Sequence, residues 1–256
     1  MRERIIGIMG AMREEIHGVV ELLANAETTT MGERTYYAGT IRNIKTVVVF
    51  SRWGKVAAAT TVATLIHEFK ITELIFTGVA GAIHPRLSVG DIVIAGRLVQ
   101  HDMDARPLMQ EFEIPLLGKT YLECLPEQLQ IATNAVNHLL ENKHLHAVIH
   151  ENELQQFGIS HPKLHIGDIA SGDKFFASSD DKNRLIAKLP TVLCVEMEGA
   201  AVAQVCAEYD IPFTILRTIS DSADEQSPID FPSFLTKVAS KYSAEIIKNM
   251  YLQYSQ

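Results

Sequence analysis

Short apolar runs rich in β-branched residues alternate with longer amphipathic stretches along most of this chain. The apolar runs have the length of buried strands and lie at residues 5–9, 46–51, 74–77, 91–95, 192–195 and 213–219. The amphipathic stretches repeat apolar residues near the helical period and lie at residues 13–23, 56–68, 126–141, 180–189, 199–209 and 233–252. Strands that alternate with helices predict an α/β fold, in which helices cover both faces of a mostly parallel sheet.

The length and composition of the chain restrict its class. With 256 residues, of which 47% are hydrophobic, it can bury a sizeable core, and we expect one domain over residues 1–256. The formal net charge of -8 argues against an extended nucleic-acid surface and favours a small ligand. The first apolar run is too short for a membrane span or a signal-peptide core, which predicts a cytoplasmic protein. The three cysteines form no CxxC pair, so we expect core thiols rather than disulfides or a zinc site.

Carboxylates follow three of the predicted strands. Glu198 comes after the run that ends at Val195, and Asp221 comes after the run that ends at Ile219. The helix-length segment between these two runs predicts a βαβ unit, whose parallel strands would place both acids at one rim of the sheet. Glu15 follows the first strand, where an acid either serves a site or simply favours the helix dipole, as we expect for its neighbour Glu14.

Convergence of Glu15, Glu198 and Asp221 would supply a defined chemistry. One carboxyl can protonate a leaving group, one carboxylate can activate water, and the third can bind sugar hydroxyls, as the cleavage of a glycosidic bond requires. Trp53, the single tryptophan, lies at another strand end, where it either packs or stacks on a planar or sugar ligand. The small residues 77–81 would let a ligand approach the backbone closely.

Two segments do not fit the alternation of strands and helices. Residues 106–118 are apolar without a clear period, which makes them a candidate lid or subunit contact. Residues 142–162 are polar and rich in histidine, and we interpret them as a surface excursion. We interpret His144, His146 and His150 as solvent-exposed histidines rather than as a metal site, because no carboxylate or cysteine has convincing metal-ligand spacing around them.

Seven motifs follow one another in a specific order. They are Gly10-Ala11-Met12-Arg13-Glu14-Glu15, Ser51-Arg52-Trp53-Gly54-Lys55-Val56-Ala57, Thr77-Gly78-Val79-Ala80-Gly81, Val89-Gly90-Asp91-Ile92-Val93, Ala170-Ser171-Gly172-Asp173-Lys174-Phe175, Val195-Glu196-Met197-Glu198-Gly199 and Arg217-Thr218-Ile219-Ser220-Asp221. Together they resemble the bacterial 5'-methylthioadenosine/S-adenosylhomocysteine nucleosidases of the nucleoside phosphorylase superfamily. The resemblance implies a three-layer α/β/α sandwich with a mixed, partly barrel-like central sheet. It also implies a homodimer, with residues 106–118 near the partner's site, and neither a cofactor nor a metal ion.

The resemblance also implies roles for individual residues, position by position. Asp221 would protonate the purine ring nitrogen, and Glu15 would be the base for the attacking water. Glu198 would accept hydrogen bonds from the ribose hydroxyls, while Ser220 holds the carboxyl of Asp221. Phe175 would stack on adenine. The other implied pocket residues are Met12, Trp53, Val79, Ala80, Gly81, Phe176, Val195, Met197 and Phe231.

Departures from the family pattern leave the substrate open. Trp53 stands where the family usually has an aliphatic residue beside the ribose, and Val79 replaces a common serine. Some members with a similar loop start, here His101-Asp102-Met103-Asp104, act on 6-amino-6-deoxyfutalosine in menaquinone biosynthesis. That nucleoside therefore stands beside methylthioadenosine and S-adenosylhomocysteine, the substrates of methionine salvage and homocysteine recycling. The alternatives are a phosphate-dependent purine nucleoside phosphorylase and a non-catalytic purine-binding protein on the same fold.

Overall fold

A computed structural model of the protein describes residues 3–223 and 231–254, without the side chains of Asn142 and Phe231. The strands in these residues are β1 (Ile5–Gly10), β2 (Ala24–Met31), β3 (Arg34–Ile41), β4 (Ile44–Phe50), β5 (Glu73–Ala82), β6 (Ile92–Gln100), β7 (Leu122–Glu123), β8 (Leu164–Ser171), β9 (Val192–Glu196) and β10 (Phe213–Asp221). The helices are α1 (Arg13–Val20), α2 (Lys55–His67), α3 (Pro126–Leu140), α4 (Asn142–Val148), α5 (Glu151–Gln156), α6 (Ser179–Lys188), α7 (Gly199–Glu208), α8 (Phe231–Phe234) and α9 (Ser240–Tyr254), with a π-helical segment (Leu235–Ala239) before α9. None of these helices is both long enough and apolar enough to cross a membrane.

The six predicted strands and six predicted helices all have counterparts in the structure. Local chemistry explains several boundaries. Pro126 occupies the first turn of α3, where its missing N–H removes no helical hydrogen bond. The first helix ends at Val20, earlier than predicted, and the N–H groups of Leu22 and Leu23 then bond to the carbonyls of Val19 and Val20 in a tight turn that leads into β2.

The ten strands form one sheet in the order β10-β6-β8-β9-β5-β1-β4-β3-β2, with β7 beside β6, and a pairing of β5 with β10 closes five of them into a barrel. The predicted parallel βαβ unit is wrong. Strand β5 lies between β9 and β10, and it pairs antiparallel with β9 and parallel with β10. The strands that lead to Glu198 and Asp221, β9 and β10, therefore run in opposite directions. Gly81 of β5 is the register partner of Val195 on one side and of Asp221 on the other. This shared neighbour, rather than a common rim of parallel strands, brings the acidic segments together.

Helices cover both faces of the sheet. On one face α2 and α7 pack through residues such as Val62 and Ala203 against Phe76. On the other face α1, α3 and α9 pack through residues such as Ile16 against Ile75. This arrangement confirms the three-layer α/β/α fold with a mixed, partly barrel-like sheet. The cysteines Cys124, Cys194 and Cys206 are buried and form no disulfide, as the sequence predicted.

An antiparallel meander of β2, β3 and β4 was not predicted. Gly32 and Glu33 both have positive φ in the two-residue turn before β3, and Arg42 and Asn43 do in the turn before β4. Positive φ at both central positions is the geometry that matches the twist of a tight hairpin. Strand β2 is exposed along nearly its whole length, which explains why it carries no apolar run.

The two irregular segments have different structures. Residues 142–162 contain α4 and α5, and Leu145 and Leu154 anchor these helices in the core, so the interpretation as a mere surface excursion is wrong. Residues 106–118 form turns that bury Phe112 but leave Leu108 and Leu116 on the surface, the latter 95% exposed.

Candidate active site

A cavity of about 610 Å³, partly open to solvent, lies beside the carboxyl-terminal half of β5. The residues that line it are Ala11, Met12, Glu15, Trp53, Val79, Ala80, Gly81, Lys174, Phe175, Phe176, Val195, Glu196, Met197, Glu198, Ser220 and Asp221. Every site residue that the sequence indicated is among them except Phe231, whose side chain lies outside the described part of the structure. Glu14, by contrast, is exposed on α1, as the helix-dipole interpretation expects.

Glu15 is held by backbone N–H groups of the turn after β1 and of β5. Its Oε2 accepts hydrogen bonds from the N–H groups of Ala11 (2.6 Å) and Met12 (2.9 Å), and its Oε1 accepts one from Val79 (3.1 Å). Burial raises the pKa of Glu15, while the charge of Arg217 and the three N–H donors lower it. The Cβ of any larger residue at Gly78 would lie 2.7 Å from Oε1, so glycine there makes room for the carboxylate.

Glu198 lies at the start of α7 and faces the amino-terminal end of α2. Its Oε1 accepts a hydrogen bond of 2.8 Å from the N–H of Gly54. Burial, reinforced by the neighbouring charge of Glu196, raises the pKa of Glu198 to about 8. The other carboxylate oxygen has no hydrogen bond from the described residues and is available to a donor in the cavity.

Asp221 ends β10 and is oriented by its neighbours. The hydroxyl of Ser220 donates to Oδ2 over 2.7 Å, and the N–H of Ala223 donates to Oδ1 over 2.8 Å. Gly81 keeps the space beside this carboxyl free, because a Cβ there would lie 3.0 Å from Oδ1 and 2.9 Å from Ala223. Asp221 is partly exposed and lines the cavity, where its carboxyl can contact a bound molecule.

A buried ion pair at the wall of the cavity was not identified from the sequence. Nη2 of Arg217 lies 2.7 Å from Oε2 of Glu196, and the two side chains are only 1% and 3% exposed. Glu196 also accepts hydrogen bonds from the hydroxyl of Ser171 and from the N–H groups of Glu198 and Gly199, so it caps α7. The sequence did contain a signal, since an arginine within the apolar strand of residues 213–219 must find a buried counter-charge.

The aromatic side of the cavity is formed by the loop after β8. Phe175 is about half exposed and Phe176 is buried, with the ring of His101 edge-on to Phe176 at 5.2 Å between centroids. Burial lowers the pKa of His101. Trp53 lines the opening and is 61% exposed, which does not fit its interpretation as a simple packing residue.

A polar network ties this loop to α2. The carboxylate of Asp102 accepts a hydrogen bond from Nζ of Lys55 (2.6 Å) and one from the N–H of Asp173 (2.9 Å). Oδ1 of Asp173 in turn accepts from the N–H of Lys55 over 2.8 Å. Because the adjacent N–H of Gly54 holds Glu198, the network connects the segment that carries Phe175 with the acidic half of the cavity.

A mixed sheet closed into a barrel, with a partly open cavity that carries three acids beside its central strand, defines an α/β protein of the nucleoside phosphorylase type. The chain belongs to the phosphorylase superfamily, whose family model matches residues 5–251. It is 35% identical over 246 residues to the aminodeoxyfutalosine nucleosidase of Helicobacter pylori, covering 96% of each chain. It is 32% identical over 244 residues to the 5'-methylthioadenosine/S-adenosylhomocysteine nucleosidase of Shewanella denitrificans, covering 94% and 96%. The solved structure of S-adenosylhomocysteine nucleosidase from Streptococcus pyogenes with 5-methylthiotubericidin has a TM-score of 0.84 and 32% identity, over 99% of this chain and 98% of that one.

Proposed function

We propose that this protein is an N-glycosyl hydrolase that releases adenine from 5'-methylthioadenosine and S-adenosylhomocysteine, with 6-amino-6-deoxyfutalosine as a further candidate substrate. The observation that carries the proposal is the convergence of Glu15, Glu198 and Asp221 on one cavity. The names of the relatives support both substrate groups, and their similar identities do not separate them.

Asp221 is the proposed acid. A purine leaves readily only as a neutral base, so a proton must reach its ring nitrogen as the ribosidic bond breaks. The hydrogen bonds from Ser220 and Ala223 fix the orientation of the Asp221 carboxyl, and the side chain of Phe175 at the cavity offers a face on which adenine can stack.

Glu15 is the proposed base for water. Its three N–H donors and the charge of Arg217 favour the ionised form, whereas burial raises its pKa and makes the carboxylate a stronger base than an exposed one. Glu198 is the proposed ribose ligand, because one oxygen of its carboxyl group is fixed by Gly54 and the other can form hydrogen bonds with sugar hydroxyls. Met12, Val79, Ala80, Gly81, Val195 and Met197 complete the proposed binding site, with Trp53 at its opening.

Water is a better nucleophile than phosphate for this cavity. Phosphate needs fixed cationic donors. Among the described residues that line the cavity, Lys174 is the only one with a basic side chain, and it is paired with Asp181 at 2.7 Å. The buried Arg217 is paired with Glu196. A phosphate ion would therefore meet carboxylates rather than free positive charge, which disfavours the phosphorylase alternative.

The decisive experiment measures adenine release from methylthioadenosine with and without phosphate. We expect hydrolysis that does not depend on phosphate, and a decrease in kcat of about 10²–10⁴-fold for Asp221→Asn. Asp210→Asn, which changes an exposed acid, is the matched control and should keep wild-type activity. A wild-type protein that binds adenine nucleosides but releases no adenine would establish the non-catalytic alternative, and strict dependence on phosphate would establish the phosphorylase. Comparison of kcat/KM for the three nucleosides then identifies the substrate.

The proposed enzyme is a cytoplasmic homodimer of single nucleosidase domains that span residues 1–256. The continuous sheet and the family match over residues 5–251 support the single domain, and the buried, unpaired thiols support a reducing compartment. Exposed Leu108 and Leu116 support a subunit contact by residues 106–118. Light scattering should give twice the mass of the chain, and Leu116→Asp should lower it, whereas a wild-type monomer would refute the dimer.

A further inference from the structure

One cluster of potential metal ligands lies outside the cavity, at the junction of α3 and α4. Glu141 is the residue between these helices, with His138 in the last turn of α3 and His144 in the first turn of α4. The backbone of the junction is fixed, because the N–H of Glu141 bonds to the carbonyl of Asn137 (3.2 Å) and the N–H of His144 bonds to the carbonyl of Glu141 (2.8 Å). Buried Leu139 anchors the end of α3 at this point. The three side chains therefore start from defined positions.

The side chains place three donor atoms near one another. Nδ1 of His138 lies 3.8 Å from Oε1 of Glu141, and Nε2 of His144 lies 3.7 Å from Oε2. One donor atom from each residue falls within 4.8 Å of the other two, and the two imidazole rings are 4.0 Å apart between centroids. Four ligands arranged tetrahedrally around zinc at about 2.0–2.1 Å are roughly 3.4 Å apart. Side-chain adjustments on the order of 1 Å would therefore close the set around an ion.

The chemistry of the donors selects a class of ion. Two imidazoles and one carboxylate are ligands typical of zinc and other late first-row divalent ions, whereas calcium and magnesium prefer all-oxygen sets. Each of the three side chains is roughly half exposed, which leaves room for water to complete the coordination. We propose that His138, Glu141 and His144 form a surface site for one zinc-class divalent ion.

The proposed site is separate from the acidic cavity. None of its three residues lines that cavity, and they belong to the helices on the α1, α3 and α9 face. A bound ion would link the last turn of α3 to the first turn of α4 and so stabilise the packing of this helix pair. The site is thus a structural one, and its occupancy should raise the melting temperature of the protein without being required for adenine release.

The test is a titration of the full-length, tag-free protein with Zn²⁺ alone. Calorimetry measures the binding affinity, and thermal unfolding measures the melting temperature with and without Zn²⁺. His144→Ala and Glu141→Gln should each weaken binding by at least about tenfold and abolish the Zn²⁺-dependent rise in melting temperature. His146→Ala is the matched control, since it removes an exposed histidine of the same helix that lies outside the cluster. Equal melting temperatures of all variants in the presence of a chelator would show that they fold alike. The proposal would be overturned if the wild-type protein failed to bind Zn²⁺, or if His146→Ala weakened Zn²⁺ binding as much as His144→Ala and Glu141→Gln.

Discussion

Substitution of Glu196 by glutamine removes the counter-charge of the most deeply buried cation in the described residues. Arg217 would keep its charge at 1% exposure but lose the charged partner at 2.7 Å. Breaking a buried pair by changing one partner typically costs about 3–5 kcal/mol of unfolding free energy. We expect a value near the lower end, about 3 kcal/mol, because the carboxylate of Glu15 also interacts with the guanidinium.

This loss is large enough to measure without ambiguity. For a chain of this size, 1 kcal/mol corresponds to about 2–4 °C in melting temperature, so Glu196→Gln should melt about 6–12 °C below the wild type. Glu245→Gln is the matched control, because its partner Lys248 is on the surface and such pairs contribute about 1 kcal/mol or less. Scanning calorimetry and urea denaturation at one pH provide the two measurements.

A loss in Glu196→Gln no greater than that in Glu245→Gln would refute the reasoning, since it would mean that the carboxylate of Glu15 fully compensates Arg217. The same variant carries a second expectation. Glu196 raises the pKa of Glu198 and Arg217 lowers it, so neutralising Glu196 should lower the pKa of Glu198. A pH titration of nucleoside binding in both proteins should show the shift.

Three further predictions concern the cavity. Because burial raises the pKa of Glu198 from 4.5 to about 8, the folded protein retains a proton that the unfolded chain releases. The contribution of Glu198 to the unfolding free energy should therefore fall as the pH rises from 4.5 to about 8. In Glu198→Gln, urea denaturation at a series of pH values should show an unfolding free energy without this part of the pH dependence. Gly78→Ala should displace the Glu15 carboxylate, whose Oε1 would lie 2.7 Å from the new Cβ, and should lower kcat for adenine release more than it raises KM. Asp102→Ala should loosen the loop after β8 and so raise both the KM for adenine nucleosides and the Kd of adenine. Asp104→Ala is the control and should match the wild type in the same assays, because the carboxylate of Asp104 bonds to Arg106 outside this network.

The sequence predicted which residues meet but not how they meet. Glu15, Glu198 and Asp221 could be found because each follows an apolar run, and turns after buried strands collect polar side chains. The direction of β9 could not be found, because it depends on pairing with β5, a strand more than a hundred residues away in the chain. Local periodicity carries no information on such a pairing.

Other omissions have equally physical causes. The hairpins around β3 were not predicted because they lack the Asn-Gly or Asp-Gly pair that is typical of a tight turn. The residues that adopt positive φ there include Glu33 and Arg42. The cluster of His138, Glu141 and His144 was missed because residue 138 belongs to one helix and residue 144 to the next. Only the junction at Glu141 brings the two rings to the same side.

The position of Gly81 between Val195 and Asp221 fixes a dimension of the cavity. Two adjacent interstrand distances amount to about 9.5 Å, and they are set by main-chain hydrogen bonds on both sides of one strand. Evolution of this scaffold toward nucleosides of different length cannot easily alter that width, because a change would require different main-chain hydrogen bonds between β5 and its two neighbouring strands. Adaptation to a larger or smaller 5' group is therefore confined to the rim, where Trp53 and Phe175 are exposed and can be exchanged at little cost to folding.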